Sequence, residues 1–236
     1  KKKNEIIENK EKINNFFYHN SDFGDQTFFK DIYSFPPSSF GIIEKSSIKI
    51  KKYWKLEIRK NRRFDVEEFK NIFCNNLKLH LRSDVPIAFT LSGGLDSSSI
   101  VRGSLKHLTK KPHSFSAYSK LDKEKYEKDY VFEFSEENSV KNSFIDIDDN
   151  NKDIIEKFIS FTDEPSYSSS FIPQFILRKK IKEKGYKVLL NGEGADEALG
   201  GYDRMHFPFI YSLFLSKNKK IPQSIKKNNI LNLDDS

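Results

Sequence analysis

The sequence predicts an α/β protein built on a doubly wound parallel sheet and preceded by a small partial β region. Three observations carry this. Ile87 to Leu91 is a short apolar run that stops at Ser92-Gly93-Gly94, and Val101, Leu105 and Leu108 then follow at helical spacing. That order is strand, glycine turn, helix. Strand-like and helix-like segments then alternate from His113 to Gly185, the pattern of parallel strands joined by crossover helices. Lys187-Val188-Leu189-Leu190 is a further short apolar run, and it opens onto an acidic, glycine-rich loop.

The elements follow in chain order. Residues 1–20 are polar and charged, interrupted by Phe16, Phe17 and Tyr18. After Pro36-Pro37, the stretches Phe40 to Ile43 and Ile48 to Trp54 read as a β-hairpin region. A helix is expected from Asp65 to about Leu81, with Val66, Phe69, Phe73 and Leu77 along one side. Cys74 sits in that pattern and reads as a core or near-core thiol. Ser83 to Pro86 ends the helix and starts the central strand, since proline suits a strand's edge. The helix after the glycine turn should run to Lys110-Lys111-Pro112, where proline stops it. His113 to Tyr118 is a second strand, Lys125 to Asn138 a charged helix, and Ser143 to Ile147 a third strand. The acidic run Asp148 to Asp153 lacks the D-x-[DN]-x-[DN]-G spacing of a calcium loop and reads as solvated. Ile154, Phe158 and Phe161 mark a helix that ends at Thr162 to Pro165. Ser166 to Ser170 is almost all hydroxyl residues, and Pro173 opens a helix stopped by Gly185. A polar tail follows, carrying Lys217 to Lys227.

Composition bounds the function. The 236 residues are 36% hydrophobic and 32% charged, enough for a core in one domain or two. No stretch nears the roughly 18 consecutive apolar residues of a membrane span, and the Lys1-Lys2-Lys3-Asn4-Glu5 start has no apolar signal core. A cytoplasmic protein with no membrane partner is expected. Cys74 is the only cysteine, which excludes an internal disulfide and a Cys-based metal cluster and fits a reducing compartment. The net charge of +7 is spread in short clusters at Lys1 to Lys3, Lys49 to Lys52 and Lys217 to Lys220. Solvated faces account for these better than a nucleic-acid surface, so no nucleic-acid partner is expected.

Two loops carry chemistry. A helix start offers free N–H groups and a positive dipole end, and glycines admit close backbone approach, so the turn after Leu91 is suited to phosphate. It lacks the lysine of a Walker A loop. Asp96 could serve a Mg²⁺ ion or merely cap the helix. In the second loop Glu193, Asp196 and Glu197 put three carboxylates within five residues after a buried strand, which is costly unless something positive binds there. Both loops leave carboxyl ends of parallel strands, where ligands bind. Asp96 and Asp196 can therefore approach one Mg²⁺. The alternative is that Asp196 and Glu197 only complement a helix N-terminus.

Residues 92–97, SGGLDS, resemble the pyrophosphate loop of the N-type ATP pyrophosphatases. Residues 192–202, GEGADEALGGY, resemble the second signature of the glutamine-dependent asparagine synthetases. Residues 27–56, TFFKDIYSFPPSSFGIIEKSSIKIKKYWKL, resemble the closing strands of that family's glutaminase domain, with Ser38 where the family has glycine. The resemblance implies an adenine nucleotide alpha hydrolase-like fold. It implies a C-terminal remnant of a glutaminase domain over residues 1–57 and the N-terminal part of an ATP-dependent synthetase domain over 58–236. It also implies a fragment, because the family's N-terminal cysteine nucleophile and a later helical region with a catalytic lysine are both missing. Ser92, Gly93, Gly94, Asp96, Ser97 and Ser98 would hold pyrophosphate. Thr90 or Leu91 would line the adenine site, with Asn191 (often Ser in the family) and Gly192 touching the nucleotide. Ala117 and Tyr118 are candidates for adenine and ribose, or plain strand residues. Asp96 and Asp196 would ligate Mg²⁺, Glu193 would take a proton from ammonia, and Glu197 and Tyr202 would shape the acyl site.

The implied reaction uses ATP and Mg²⁺ to form an amide through an acyl-adenylate, turning aspartate into asparagine with ammonia drawn from glutamine. A homodimer is compatible with it. The family's arginine for the substrate carboxylate has no counterpart in Ser166 to Phe171. That keeps a β-lactam synthetase or lasso-peptide cyclase acting on another carboxylate in play. An RNA-binding sulfur-transfer enzyme would want a reactive cysteine near the loop, and a non-catalytic nucleotide-binding fragment remains the alternative of another class.

Overall fold

A computed structural model describes residues 6–19, 24–45, 47–57, 63–119, 125–147, 152–166, 168 and 170–215. The chain divides into two compact units, one of Lys1–Asn75, Ala117–Leu121 and Asp146–Lys180, the other of Asn76–Ser116, Asp122–Ile145 and Ile181–Ser236.

The first unit opens with a helix that the sequence reading missed, α1 (Lys10–His19). Asn9 starts it, accepting the Lys12 N–H on its side chain at 3.2 Å. Phe16 is its buried apolar anchor, edge-on to Phe28 with ring centroids 5.5 Å apart. One anchor makes no stripe, so periodicity gave no signal. Strands β1 (Ser39–Glu44) and β2 (Ser47–Lys52) form the expected antiparallel hairpin, pairing Ser39 with Lys52 and Glu44 with Ser47. Ser38 sits just before it at φ 56°, and its carbonyl accepts the Tyr53 N–H at 2.9 Å. The position where the resembled family has glycine is thus a left-handed one, which costs a non-glycine residue about 1 kcal/mol.

Helix α2 (Val66–His80) is capped by Asp65, whose side chain accepts the Glu68 N–H at 3.0 Å. Its expected stripe is only partly buried. Leu77 is buried and Phe73 and Cys74 are half-buried, while Val66 and Phe69 are exposed. Helix α5 (Lys152–Thr162) buries Ile154 and Phe158, and Phe158 meets Phe175 of α6 (Phe171–Glu183) at 5.7 Å. Helix α6 starts two residues before Pro173, whose missing N–H still falls in the first turn, where no helical partner exists.

The second unit holds the core of a four-stranded sheet ordered β5 (Lys141–Asp146), β4 (His113–Tyr118), β3 (Ile87–Thr90), β6 (Val188–Leu190). Strand β3 pairs in parallel with both neighbours. Phe89, Leu91 and Val101 are fully buried, joined by Val131 of α4 (Lys125–Glu137) and Val140. A strand covered on both faces explains the unbroken apolar run. Helix α3 (Leu95–Ser104) passes into one 3₁₀ turn, Leu105–His107, and stops short of Lys110. Two helices follow β6. The short α7 (Ala195–Leu199) is succeeded by α8 (Asp203–Leu215), another helix the sequence reading missed, which buries Ile210 and carries Pro208 inside it. The Lys1–Lys3 cluster, residues 148–151 of the acidic run and the Lys217–Lys227 tail lie outside the described residues. Among the described residues no helix is long and apolar enough to cross a membrane.

At the amino end of β4 the His113 ring nitrogens lie 3.0 Å from the Tyr186 hydroxyl and 2.8 Å from that of Ser143. Burial, then the charges of Lys141 and Lys184, hold its pKa below the usual histidine value. The folded state therefore binds this proton less well than the unfolded chain does. Its contribution to stability is present above about pH 6.5 and is lost as pH falls through the lower folded pKa. Thermal melts between pH 7 and pH 5 should show a decline in Tm that His113→Gln reduces, and an identical decline in both proteins would refute the assignment.

Candidate active site

Strands β3 and β6 are parallel and in register, with Phe89 opposite Leu190. The chain leaves β3 toward β4 and β5, yet β6 lies on β3's other side. The strand order therefore reverses between β3 and β6, and the loops leaving their carboxyl ends flank the crevice at that switch point.

The first loop turns through Gly93 at φ 88° and enters α3 behind Gly94, an N-cap with no side-chain bond. Asp96 is thus inside the first turn and is not the cap. The Leu95, Asp96 and Ser97 N–H groups have no partner within the helix. Ser97 is buried, and its hydroxyl binds the Ser92 N–H at 3.1 Å, the Ser92 hydroxyl at 3.0 Å and the Gly94 carbonyl at 3.2 Å. Its hydroxyl braces the turn from inside. Ser92, Gly94 and half-buried Asp96 and Ser98 lie nearer solvent. Leu91 is fully buried, with its N–H on the Phe115 carbonyl and its own carbonyl taken by Ser116, so half-buried Thr90 is the member of that pair with an accessible side chain.

The second loop lies against the first. A Cβ on Gly192 would stand 3.1 Å from both the Asp96 Cβ and the Ser97 nitrogen, closer than nearly all real contacts. Only glycine lets the two loops meet this way. Asn191 donates to the Glu193 carboxylate at 2.9 Å. Asp196 lies four residues past Gly192, in the first turn of α7. Its carbonyl accepts the Gly200 and Gly201 N–H groups at 2.9 and 3.0 Å, and its carboxylate fills the space that a Cβ on Gly201 would need.

The Tyr202 hydroxyl donates to Glu197 at 2.8 Å. That bond, then Glu197's own backbone N–H, holds the Glu197 carboxyl below its usual range, and Arg204 pulls the same way. The same bond raises the Tyr202 phenol above its usual range, helped by partial burial and the nearby Glu197 and Asp196 charges. Arg204 lies 4.6 Å from the centre of the Tyr202 ring. Sequence reasoning overlooked this arginine, whose only signal was its place two residues after Tyr202.

The structure therefore brings together Ser92, Gly93, Gly94, Asp96, Ser97 and Ser98 with Asn191 and Gly192, and it joins Glu197 to Tyr202. Ala117, exposed, and Tyr118, half-buried, end β4 and belong to the other compact unit. Among the described residues no three or more His, Cys, Asp or Glu side chains cluster as metal ligands. A Mg²⁺ ion usually takes one or two carboxylates and completes its shell with water and phosphate oxygens. Asp96 and Asp196, one on each loop, are the carboxylates of the two motifs that could fill that role.

The chain is similar to several known proteins. A family model described as Asparagine synthase matches residues 68–231. The glutamine-hydrolyzing asparagine synthetase 1 of Bacillus subtilis is 30% identical over 200 residues, covering 81% of this chain and 30% of that protein. Amidase chry2 of Gibberella zeae is 28% identical over 201 residues, covering 75% and 30%. The chain spans about a third of the length of these curated relatives. Among solved structures, the NH3-dependent NAD synthetase of Campylobacter jejuni aligns over 59% of this chain and 62% of that one, at a TM-score of 0.41 and 16% identity.

The hydrogen bond to Glu197 can be read directly. In Tyr202→Phe the Glu197 carboxyl should titrate at higher pH, because the bond that favoured its charged form is gone. A carbon-detected NMR titration that finds the midpoint unmoved would dismiss the pairing.

Proposed function

The chain belongs to the asparagine synthase family, and from this premise we propose that it carries the ATP-dependent, amide-forming half of a glutamine-dependent amidotransferase. Residues 1–57 close its glutaminase domain and residues 58–236 open its synthetase domain. One observation supports this above the others: Gly192 presses against Asp96 and Ser97, so the two motif loops share one crevice.

The acceptor's carboxylate oxygen attacks the α-phosphorus of ATP, and pyrophosphate leaves with the bond electrons. The first-turn N–H groups of α3 and the turn at Ser92 to Gly94 cradle the pyrophosphate, placing fixed partial positive charge where negative charge develops. Mg²⁺, held by Asp96 and Asp196, would offset phosphate charge. Ammonia then attacks the acyl carbon, AMP leaves, and Glu193 takes a proton from the nitrogen. Exposed and positioned by Asn191, Glu193 can pass that proton to solvent. Glu197 and Tyr202, locked to one another, form a fixed wall for the acyl group. Thr90, whose half-buried side chain is accessible where that of Leu91 is not, lines the adenosine site. Glutamine supplies the ammonia, aspartate is the acceptor, and the setting is the cytoplasm, where a homodimer would suit the paired domains.

A second reading changes only the acceptor. In the segment 166–170 the Ser166 hydroxyl donates to the Ser168 carbonyl at 2.8 Å and the Ser168 and Ser170 hydroxyls meet at 2.7 Å, and the segment carries no arginine for an amino-acid carboxylate. Product analysis by mass with ATP, aspartate and ammonia separates the two. Asparagine supports the first reading, while pyrophosphate release without asparagine supports the second.

In the intact protein Asp96→Ala should abolish pyrophosphate release, and release at the original rate would end the metal assignment. Gly192→Ala should lower ATP affinity by about tenfold or more, because a displacement of a fraction of an ångström is felt strongly at a preorganised site. Its melting temperature should stay close to that of the original, since the residue lies on the crevice and not in the core. Unaltered affinity would mean the loops do not act together.

A further inference from the structure

The segment that starts the first loop is gripped from an unexpected direction. Strand β3 ends at Thr90, and Leu91 is the last residue attached to the sheet. Its N–H donates to the Phe115 carbonyl at 3.0 Å in the ordinary ladder manner. Its carbonyl is taken instead by a side chain, the hydroxyl of Ser116, which is 3% exposed. Two successive residues of β4 thus hold both polar groups of Leu91, and Ser92 is the first residue free to turn.

That hydroxyl has a competitor. As placed, the Asn142 side-chain oxygen lies 3.2 Å from the Ser116 hydroxyl and 2.8 Å from that of Ser114, while the Asn142 amide nitrogen is buried with no partner. Ser114 also reaches the Lys141 carbonyl at 3.3 Å. Two hydroxyl protons would then face three acceptors, with an amide NH₂ left buried and unsatisfied, which is costly. The oxygen and nitrogen of such an amide are assigned from their partners. Turned over, the amide donates to both serines, Ser114 donates to Lys141, and Ser116 has the Leu91 carbonyl as its single acceptor. Every proton then has a place, and one acceptor alone lacks a donor.

We propose that Ser116, aimed by Asn142, is the positioning residue that sets where the phosphate loop leaves the sheet. The proposal rests on the reading that this loop receives the phosphates of ATP. It assigns to β4 and β5 a hold on the site that neither motif contains.

Calorimetry with ATP and Mg²⁺, and the kinetics of pyrophosphate exchange, test it on the intact protein. Ser116→Ala should weaken ATP binding and raise its KM by about tenfold, the effect of one buried hydrogen bond, with kcat nearly unchanged. Ser116→Thr, which keeps the hydroxyl, should restore binding. Asn142→Ala, which leaves the Ser116 hydroxyl but frees its rotation, should raise the KM by a smaller factor in the same direction. A folded Ser116→Ala that binds ATP as the original does overturns the proposal, as does Ser116→Thr behaving like Ser116→Ala. If Ser116→Ala fails to fold, an unaltered KM in Asn142→Ala overturns it equally. An original protein that binds no ATP overturns the reading of the loop and this proposal with it.

Discussion

The candidate site depends on how near Gly192 comes to the first turn of α3. The parallel register of β3 and β6 brings the two loop origins side by side, but register alone would leave them a side chain apart. With no Cβ, the second loop lies directly on the Asp96–Ser97 peptide. The acidic residues that follow, Glu193, Asp196 and Glu197, are then delivered beside a helix start instead of facing one another across solvent.

Around that contact the local bonds divide the work. Ser97 and Ser92 tie the first loop internally, so its shape does not wait for a ligand. Gly200 and Gly201 return to the Asp196 carbonyl, which closes α7 after a single turn and fixes the acidic residue at its start. Tyr202 secures Glu197 from the next segment. Each brace joins residues within five positions of one another. That explains why short stretches of sequence can carry so much of the site: loop geometry of this kind is encoded locally.

The same distinction separates what could be read in the residues from what could not. Strands β3 to β6 and helices α2 to α6 announced themselves by apolar runs, periodicity and punctuation at Pro86, Pro112 and Gly185. Helix α1 did not, because one capping asparagine and one buried Phe16 are invisible to a pattern that needs a stripe. Helix α8 did not, because Pro208 lies inside it and its apolar residues, crowded from Phe207 to Leu215, make no one-sided stripe. Within the site, residue types were legible and side-chain directions were not. Nothing in SGGLDS says that Ser97 points inward, or that Leu91 is sealed in the core. The first is a matter of hydroxyl direction within the turn, and the second belongs to tertiary packing by β4, whose Phe115 and Ser116 lie more than twenty residues from Leu91 in the chain. That the two loops leave the carboxyl ends of parallel strands, by contrast, was legible from the apolar run before each of them.

Gly201 has the least chemical character of any residue near the crevice, yet the Asp196 carboxylate occupies the volume its side chain would fill. An alanine there would leave the hydrophobic interior and every charged group in the sequence intact while evicting one anion from its berth. A survey of variants that watches only ionisable residues would score such an allele as harmless.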